Sequence, residues 1–238
     1  MFWWILATLC AFFVKGLCGF ANTLVFTTVM SFGLSNRDIT PVELLLGYPG
    51  NALIAFRERR SIDPVLCLRL SLLVVLGSIP GMLLLRDADT GIVKLLFGVV
   101  IAALGVEMLL RGRHTEQAEA SGKVLAVIGI LSGVLCGLYG VGALLGAYIS
   151  RVAKDASAFR ANICVVFFVE NTMRIVFYSA AGILNAGMAL QAARLLPFAL
   201  AGLLLGAKSG AVLDEKSVKR MVIVMLIVSG VALIAGQL

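Results

Sequence analysis

Eight long apolar stretches run along the chain, at approximately 1–33, 40–57, 64–86, 92–111, 124–150, 160–181, 187–208 and 217–237. They are continuous runs, without the alternation of a half-buried strand or the stripe of an amphipathic surface helix, so each predicts a helix with apolar surroundings on every side. A bilayer core takes about 20 apolar residues per spanning helix. The pattern therefore predicts an all-α, polytopic integral membrane protein with no room left for a soluble domain. The one real linker, 111–123 (RGRHTEQAEASGK), falls near the middle.

Two stretches are too long for one crossing. As a single helix, 1–33 would reach roughly 50 Å at 1.5 Å per residue, against a hydrocarbon core about 30 Å thick. It is interrupted by Lys15-Gly16-Leu17-Cys18-Gly19, after which Asn22 and Thr23 are suited to cap a new helix. The stretch 124–150 is interrupted in the same way by Cys136-Gly137-Leu138-Tyr139-Gly140-Val141-Gly142. Each is expected to be a pair of short helices around a glycine break.

The halves resemble each other. Leu17-Cys18-Gly19 matches Leu135-Cys136-Gly137 at an offset of 118, and Asn51 matches Asn171 at 120. Ile62 matches Ile183 and Gly81 matches Gly202 at 121, and Val93-Lys94 matches Val218-Lys219 at 125. The ordered set predicts a first repeat over 1–111, a cytoplasmic linker over 112–123 and a second repeat over 124–238.

Loop charge adds topology. Lys and Arg number three in 57–63, three in 111–123, three in 151–160 and four in 208–220, against none in 182–186. If 124–150 turns back instead of crossing, all four basic loops share one face, as cytoplasmic loops do. Each half then holds a broken or re-entrant hairpin plus three crossings. An odd number inverts one half against the other, as in many secondary transporters. Both termini are then expected outside.

Composition closes off other classes. Hydrophobic residues make up 61% of the chain and charged ones 14%, where soluble domains carry about 25% charged residues, so a soluble enzyme is excluded. The net charge of +7 belongs to the loops and implies no nucleic-acid partner. Five cysteines lie within apolar runs with no CxxC or Cys/His spacing, so neither a disulfide framework, a metal site nor a cofactor is expected. His114 reads as a solvated linker residue. The opening run lacks a basic n-region and reads as a membrane segment, not a cleavable signal.

The chain resembles the sulfite exporter TauE/SafE family of membrane permeases. The residues that carry the likeness are the breaks Gly16 to Asn22 and Gly133 to Gly146, the Gly182-Ile183-Leu184 turn and the run 196–206 with its partner Gly77-Ser78-Ile79-Pro80-Gly81. The closing Asp214-Glu215-Lys216-Ser217-Val218-Lys219-Arg220 belongs with them. Where the family often has three or four glycines together, this chain has Gly19-Phe20-Ala21-Asn22 and Gly140-Val141-Gly142-Ala143. The resemblance implies movement of sulfite, organosulfonates or related small anions across a cytoplasmic (inner) membrane, often outward.

Ionisable groups within membrane segments are costly and are functional candidates by default. Lys15 lies in the first break, where the helix starting near Asn22 would aim its positive end at the same place; snorkelling to an interface is the competing role. Glu170 and Arg174, four apart on one helix, are spaced for an ion pair. That pair either neutralises two buried charges or lets Arg174 bind an anion while Glu170 receives a proton or orients the arginine. Asn51, which follows the helix-disrupting Tyr48-Pro49-Gly50, and Asn171 are a pair for lining a central site or for bridging helices. Glu43, Arg69 and Arg194 are expected to snorkel, Glu107 to pair with a loop cation, and Cys18 and Cys136 to allow close backbone approach. Gly129, Gly133 and Gly137 make a small-residue packing face.

These readings converge on a transporter of small anions. Lys15 or Arg174 would supply charge, Asn22, Asn51, Tyr139 and Asn171 orientation, and Glu170 coupling or charge pairing. The partners are the anion and the lipid bilayer, with a homo-oligomer left open. Outward movement of a monoanion gains about 2.3 kcal/mol per 100 mV of interior-negative potential. The alternatives are a carrier of a metal cation or neutral solute and, further off, a membrane-embedded enzyme.

Overall fold

The structure, a computed structural model, describes residues 1–30, 36–87, 122–140 and 142–210, with helical positions spread over 98–109 and 220–234. The linker 112–121 with His114, Glu107, the 214–219 part of the closing pattern and the Tyr139 side chain lie outside the described residues. Every regular element among the described residues is helical. The helices are α1 (Phe2–Cys18), α2 (Asn22–Met30), α3 (Asn36–Arg57), α4 (Pro64–Asp87), α5 (Gly122–Tyr139), α6 (Ala143–Val152), α7 (Ala156–Ala180) and α8 (Ala186–Gly210). Four of them, α3, α4, α7 and α8, are long and apolar enough to cross a membrane, and α1 and α5 are shorter apolar helices.

Short polar side chains set the helix starts. Asp63 Oδ1 accepts from the Val65 and Leu66 amides ahead of Pro64, a cap followed by the proline that suits a first helical position. Asp155 Oδ1 accepts from Ala158 N at 2.8 Å, and Asn185 Oδ1 from Met188 N at 2.9 Å. The Asp155 cap starts α7 four residues before the apolar run itself begins. In α3 the expected disruption at Tyr48-Pro49-Gly50 is absent: the helix continues through Pro41 and Pro49 to Arg57. Pro49 removes one backbone hydrogen bond, and packing of α3 on α7, α8 and α2 holds the turns on either side.

Both broken segments fold back. The α1 chain ends in a left-handed cap at Gly19 (φ 85°) whose N–H bonds Lys15 O at 2.7 Å. The rings of Trp4 and Phe26 lie 5.9 Å apart, so α2 returns alongside α1. At the second break Gly140 (φ 70°) donates to Cys136 O at 2.7 Å. The start of α5 lies beside the start of α4, where Gly122 and Leu125 share a groove with Asp63 and Leu66. The start of α7 returns to that end, with Ser157 on Glu58 and Asn162 on Asp63. Gly19 and Gly140 stand 121 residues apart, the offset of Gly81 and Gly202.

Among the described residues, the basic loops 57–63 and 151–160 and the end of α8 gather at one end. Arg57 and Arg160 line one groove with Ala207 and Gly210 at the end of α8, and the α5 start adjoins Asp63. The loop between α7 and α8, without Lys or Arg, lies at the other end of α7.

Packing proceeds in pairs: α1 on α8, α4 on α5 and α3 on α7. The first two pairs run parallel, since Leu9 faces Gly202 while Leu17 faces Gly210, and Leu73 faces Gly129 while Ser78 faces Gly137. The α3–α7 pair runs antiparallel, with Tyr48 stacked on Phe168 and Glu58 meeting Ser157. Positions 98–102 and 230–234 also face each other in opposite directions. The parallel pairs depend on glycine. A methyl group on Gly77, Gly81, Gly133 or Gly137 would enter the backbone of the facing helix, and so would one on Gly16 or Gly206, which is how small residues let membrane helices touch.

Polarity is distributed inside out relative to a soluble protein. Leu68, Leu72 and Leu76 of α4, Val127 and Leu131 of α5, and Leu204 and Leu205 of α8 are each more than half exposed, while Lys15, Glu43, Asn51, Glu170 and Arg174 are buried. Lipid tails accept the first set, and only the protein interior can satisfy the second. Gly133→Val is expected to lower the midpoint of thermal unfolding in detergent sharply, because overpacking costs roughly 1–3 kcal/mol or more. Gly122→Ala, which meets open space, should leave the midpoint unchanged.

Candidate functional site

Three elements converge where the breaks meet. Lys15, in the last turn of α1, is 1% exposed. Its stem runs along Gly50, whose missing side chain leaves room for Lys15 Cε. Its ammonium donates to Asn51 Oδ1 at 2.6 Å and to Asn22 Oδ1 at 3.1 Å. Asn22 in turn donates through Nδ2 to the Glu43 carboxylate. One asparagine thus spans a buried lysine and a buried glutamate from different helices. Glu43, Gly47 and Asn51 lie at i, i+4 and i+8 on one face of α3, and Gly47 leaves the space that Asn22 occupies.

These groups wall a small cavity shared by both breaks. Lys15, Asn22, Glu43 and Asn51 line one side, and Gly140, Gly142, Phe167 and Asn171 line the other. Two helix N-termini open on it: α2 begins at Asn22, and α6 begins after Gly142. First-turn amides have no intrahelical acceptor, and the aligned peptide dipoles make each such end electropositive. Ala21, in positive φ at 71°, turns the chain sharply enough for this.

A second charged pair sits one layer behind. Glu170 and Arg174, each 1% exposed, approach to 3.6 Å on successive turns of α7. Arg174 Nη2 donates to Tyr178 Oη at 3.3 Å, and its guanidinium lies 5.3 Å from the Tyr178 ring centre. It packs directly against Gly140, where a Cβ would come within 2.9 Å of Nη1. The positive φ of Gly140 and this contact both require glycine. Neither Glu170 Oε1 nor Arg174 Nε has a hydrogen-bond partner, so the pair is held by charge and packing.

Of the residues singled out in the sequence, Lys15, Asn22, Asn51 and Asn171 line one cavity. Glu170 and Arg174 do not line it; Arg174 packs behind it against Gly140. Lys15 does not snorkel, and neither does Glu43, which is 3% exposed. Glu43 is the site residue that the sequence reading placed elsewhere; its spacing of eight from Asn51 is the signal that marks it. Arg69 and Arg194 are exposed. Cys18 Sγ bonds Val14 O at 2.9 Å and takes no part in the cavity wall.

The family model of the sulfite exporter TauE/SafE family matches residues 4–233. The chain belongs to the sulfite exporter TauE/SafE family. It is thus a multi-pass membrane protein of a transporter family. One curated relative, "Probable sulfite/organosulfonate exporter TauE" of Cupriavidus necator, is 29% identical over 150 residues, covering 63% of this chain and 58% of that protein. No solved structure matches. In this family member the charge balance of the site is open to a direct test. Lys15→Met strands Glu43 in the interior and is expected to destabilise by about 3–5 kcal/mol, as loss of one partner of a buried pair does. The double variant Lys15→Met/Glu43→Gln should recover most of that loss in detergent unfolding. Additive losses would show that the two groups are independent.

Proposed function

We propose that the chain is a secondary carrier that exports small anions, sulfite or organosulfonates, across the cytoplasmic membrane, with the cavity between the two breaks as its substrate site. The observation that carries this reading is the meeting of two helix N-termini and a buried lysine on one cavity. Backbone amides, helix dipoles and an ammonium together suit an anion, and they disfavour a metal cation. Lys15 contacts the substrate, while Asn22, Asn51 and Asn171 orient it through amide groups that both donate and accept. Tyr139, at the end of α5 beside the second break, is assigned with them. Arg174 acts from behind Gly140 by its field, and Glu170 holds Arg174 in place.

The halves 1–111 and 124–238 are read as inverted repeats joined by a cytoplasmic linker. Pairing of α1 with α8 and of α4 with α5 is what exchange of the halves predicts, and α3 and α7 would be mates that run in opposite directions. The end that gathers the basic loops is the cytoplasmic one by the positive-inside rule. The relative's name supports the choice of sulfite and organosulfonates.

Reconstituted in liposomes loaded with sulfite, the protein should pass sulfite, and Lys15→Ala and Arg174→Ala should each reduce that flux to the level of empty vesicles. Arg194→Ala, at an exposed position, is the matched control and should retain flux. Full flux in both site variants would refute the assignment.

A further inference from the structure

We propose that Glu43 is the site's built-in counter-anion, and that a transported anion occupies the cavity only when Glu43 takes up a proton, so that one proton travels with each monoanion. This rests on the anion-site reading above and adds its coupling.

The argument is one of charge and geometry. Two cations, Lys15 and Arg174, and two carboxylates, Glu43 and Glu170, are all buried to 3% exposure or less. With all four ionised their charges cancel. Glu43 and Lys15 share one cavity wall, and Asn22 hydrogen-bonds both. Lys15 on α1, Asn22 and Thr23 on α2 and, from one layer behind, Arg174 and Glu170 on α7 are the polar and charged groups whose charges or hydrogen bonds act on Glu43 from neighbouring elements. The buried thiols Cys18 and Cys164 lie near Lys15, and Cys136 near Glu170.

An anion entering beside Lys15 therefore meets a carboxylate on the same wall and leaves the cluster with an excess negative charge. Like charges a few ångströms apart in a low-dielectric interior cannot both remain ionised. Protonation of Glu43 removes the repulsion and restores neutrality, while Asn22 keeps an oxygen to bond. The proton leaves with the anion, and Glu43 again balances Lys15 in the empty site. Coupled in this way, each cycle is electrically neutral. The concentration gradient of the anion together with the pH difference, and not the membrane potential, then drives export.

The test uses the full chain in liposomes with methanesulfonate, a monoanion whose charge is constant across the pH range, and a pH-sensitive dye inside. Wild-type protein is expected to move protons in the same direction as methanesulfonate, to ignore a potassium–valinomycin potential, and to lose about tenfold in flux as both sides are raised from pH 6 to pH 8. Glu43→Gln should abolish the dye signal, flatten the pH profile and make flux follow the potential. Glu43→Asp should restore coupling. Wild-type flux without proton movement, or a pH slope that survives Glu43→Gln, overturns the coupling and leaves the anion site standing. The wild-type dye and potential measurements decide the matter even if Glu43→Gln does not assemble. Wild-type vesicles that pass neither methanesulfonate nor sulfite overturn the anion site itself, and the coupling with it.

Discussion

A lysine held inside an apolar belt must be matched by groups that neutralise and solvate it, and the arrangement of this protein follows from that requirement. An isolated ammonium in hydrocarbon is prohibitively costly. Lys15 is matched by two asparagine oxygens from two other helices and, through one of them, by Glu43. Those partners come from α2 and α3, so the short hairpin and the long helix behind it are tied to α1 by one polar contact set. Arg174 poses the same requirement on α7 and is met by Glu170 and the Tyr178 hydroxyl, with Gly140 leaving room for the guanidinium.

The glycine-packed pairs give this polar centre a rigid frame. Between helices in lipid there is little hydrophobic driving force, so close van der Waals contact carries the association. Gly16 and Gly206 let α1 and α8 touch, and Gly77, Gly81, Gly133 and Gly137 do the same for α4 and α5. Each of these pairs ties the first helix of a hairpin to a long helix of the opposite half. The second helix of each hairpin is short, nine residues in α2 and ten in α6, and has its N-terminus at the cavity. A frame of long helices with two short ones between them is suited to exposing a central site alternately to either face.

Much of this was legible along the chain. Continuous apolar runs marked the spanning helices because lipid accepts apolar side chains on every side. The two glycine breaks were visible because a left-handed turn needs Gly19 and Gly140. The charge of the loops anticipated the gathering of 57–63, 151–160 and the end of α8 at one end. Gly129, Gly133 and Gly137 read correctly as a packing face. Local rules were less dependable where packing intervenes: Tyr48-Pro49-Gly50 reads as a disruption, yet neighbours on several sides hold α3 through it.

The sequence by itself determined the class, the breaks and the identities of the buried polar residues, because these depend on composition and spacing within single segments. Which polar residues meet was decided only by the tertiary structure. Lys15 and Asn51 are 36 positions apart, and nothing local states that they touch. Glu43, a turn or two inside its segment, could have reached an interface, but the fold turns its face of α3 toward Lys15 and closes that route. Arg174 lay on the expected helix yet came to rest behind Gly140 instead of on the cavity wall. Spacing along one helix defines a face, but only the packing of several helices decides what that face meets, and the cost of burying a charge makes that choice consequential.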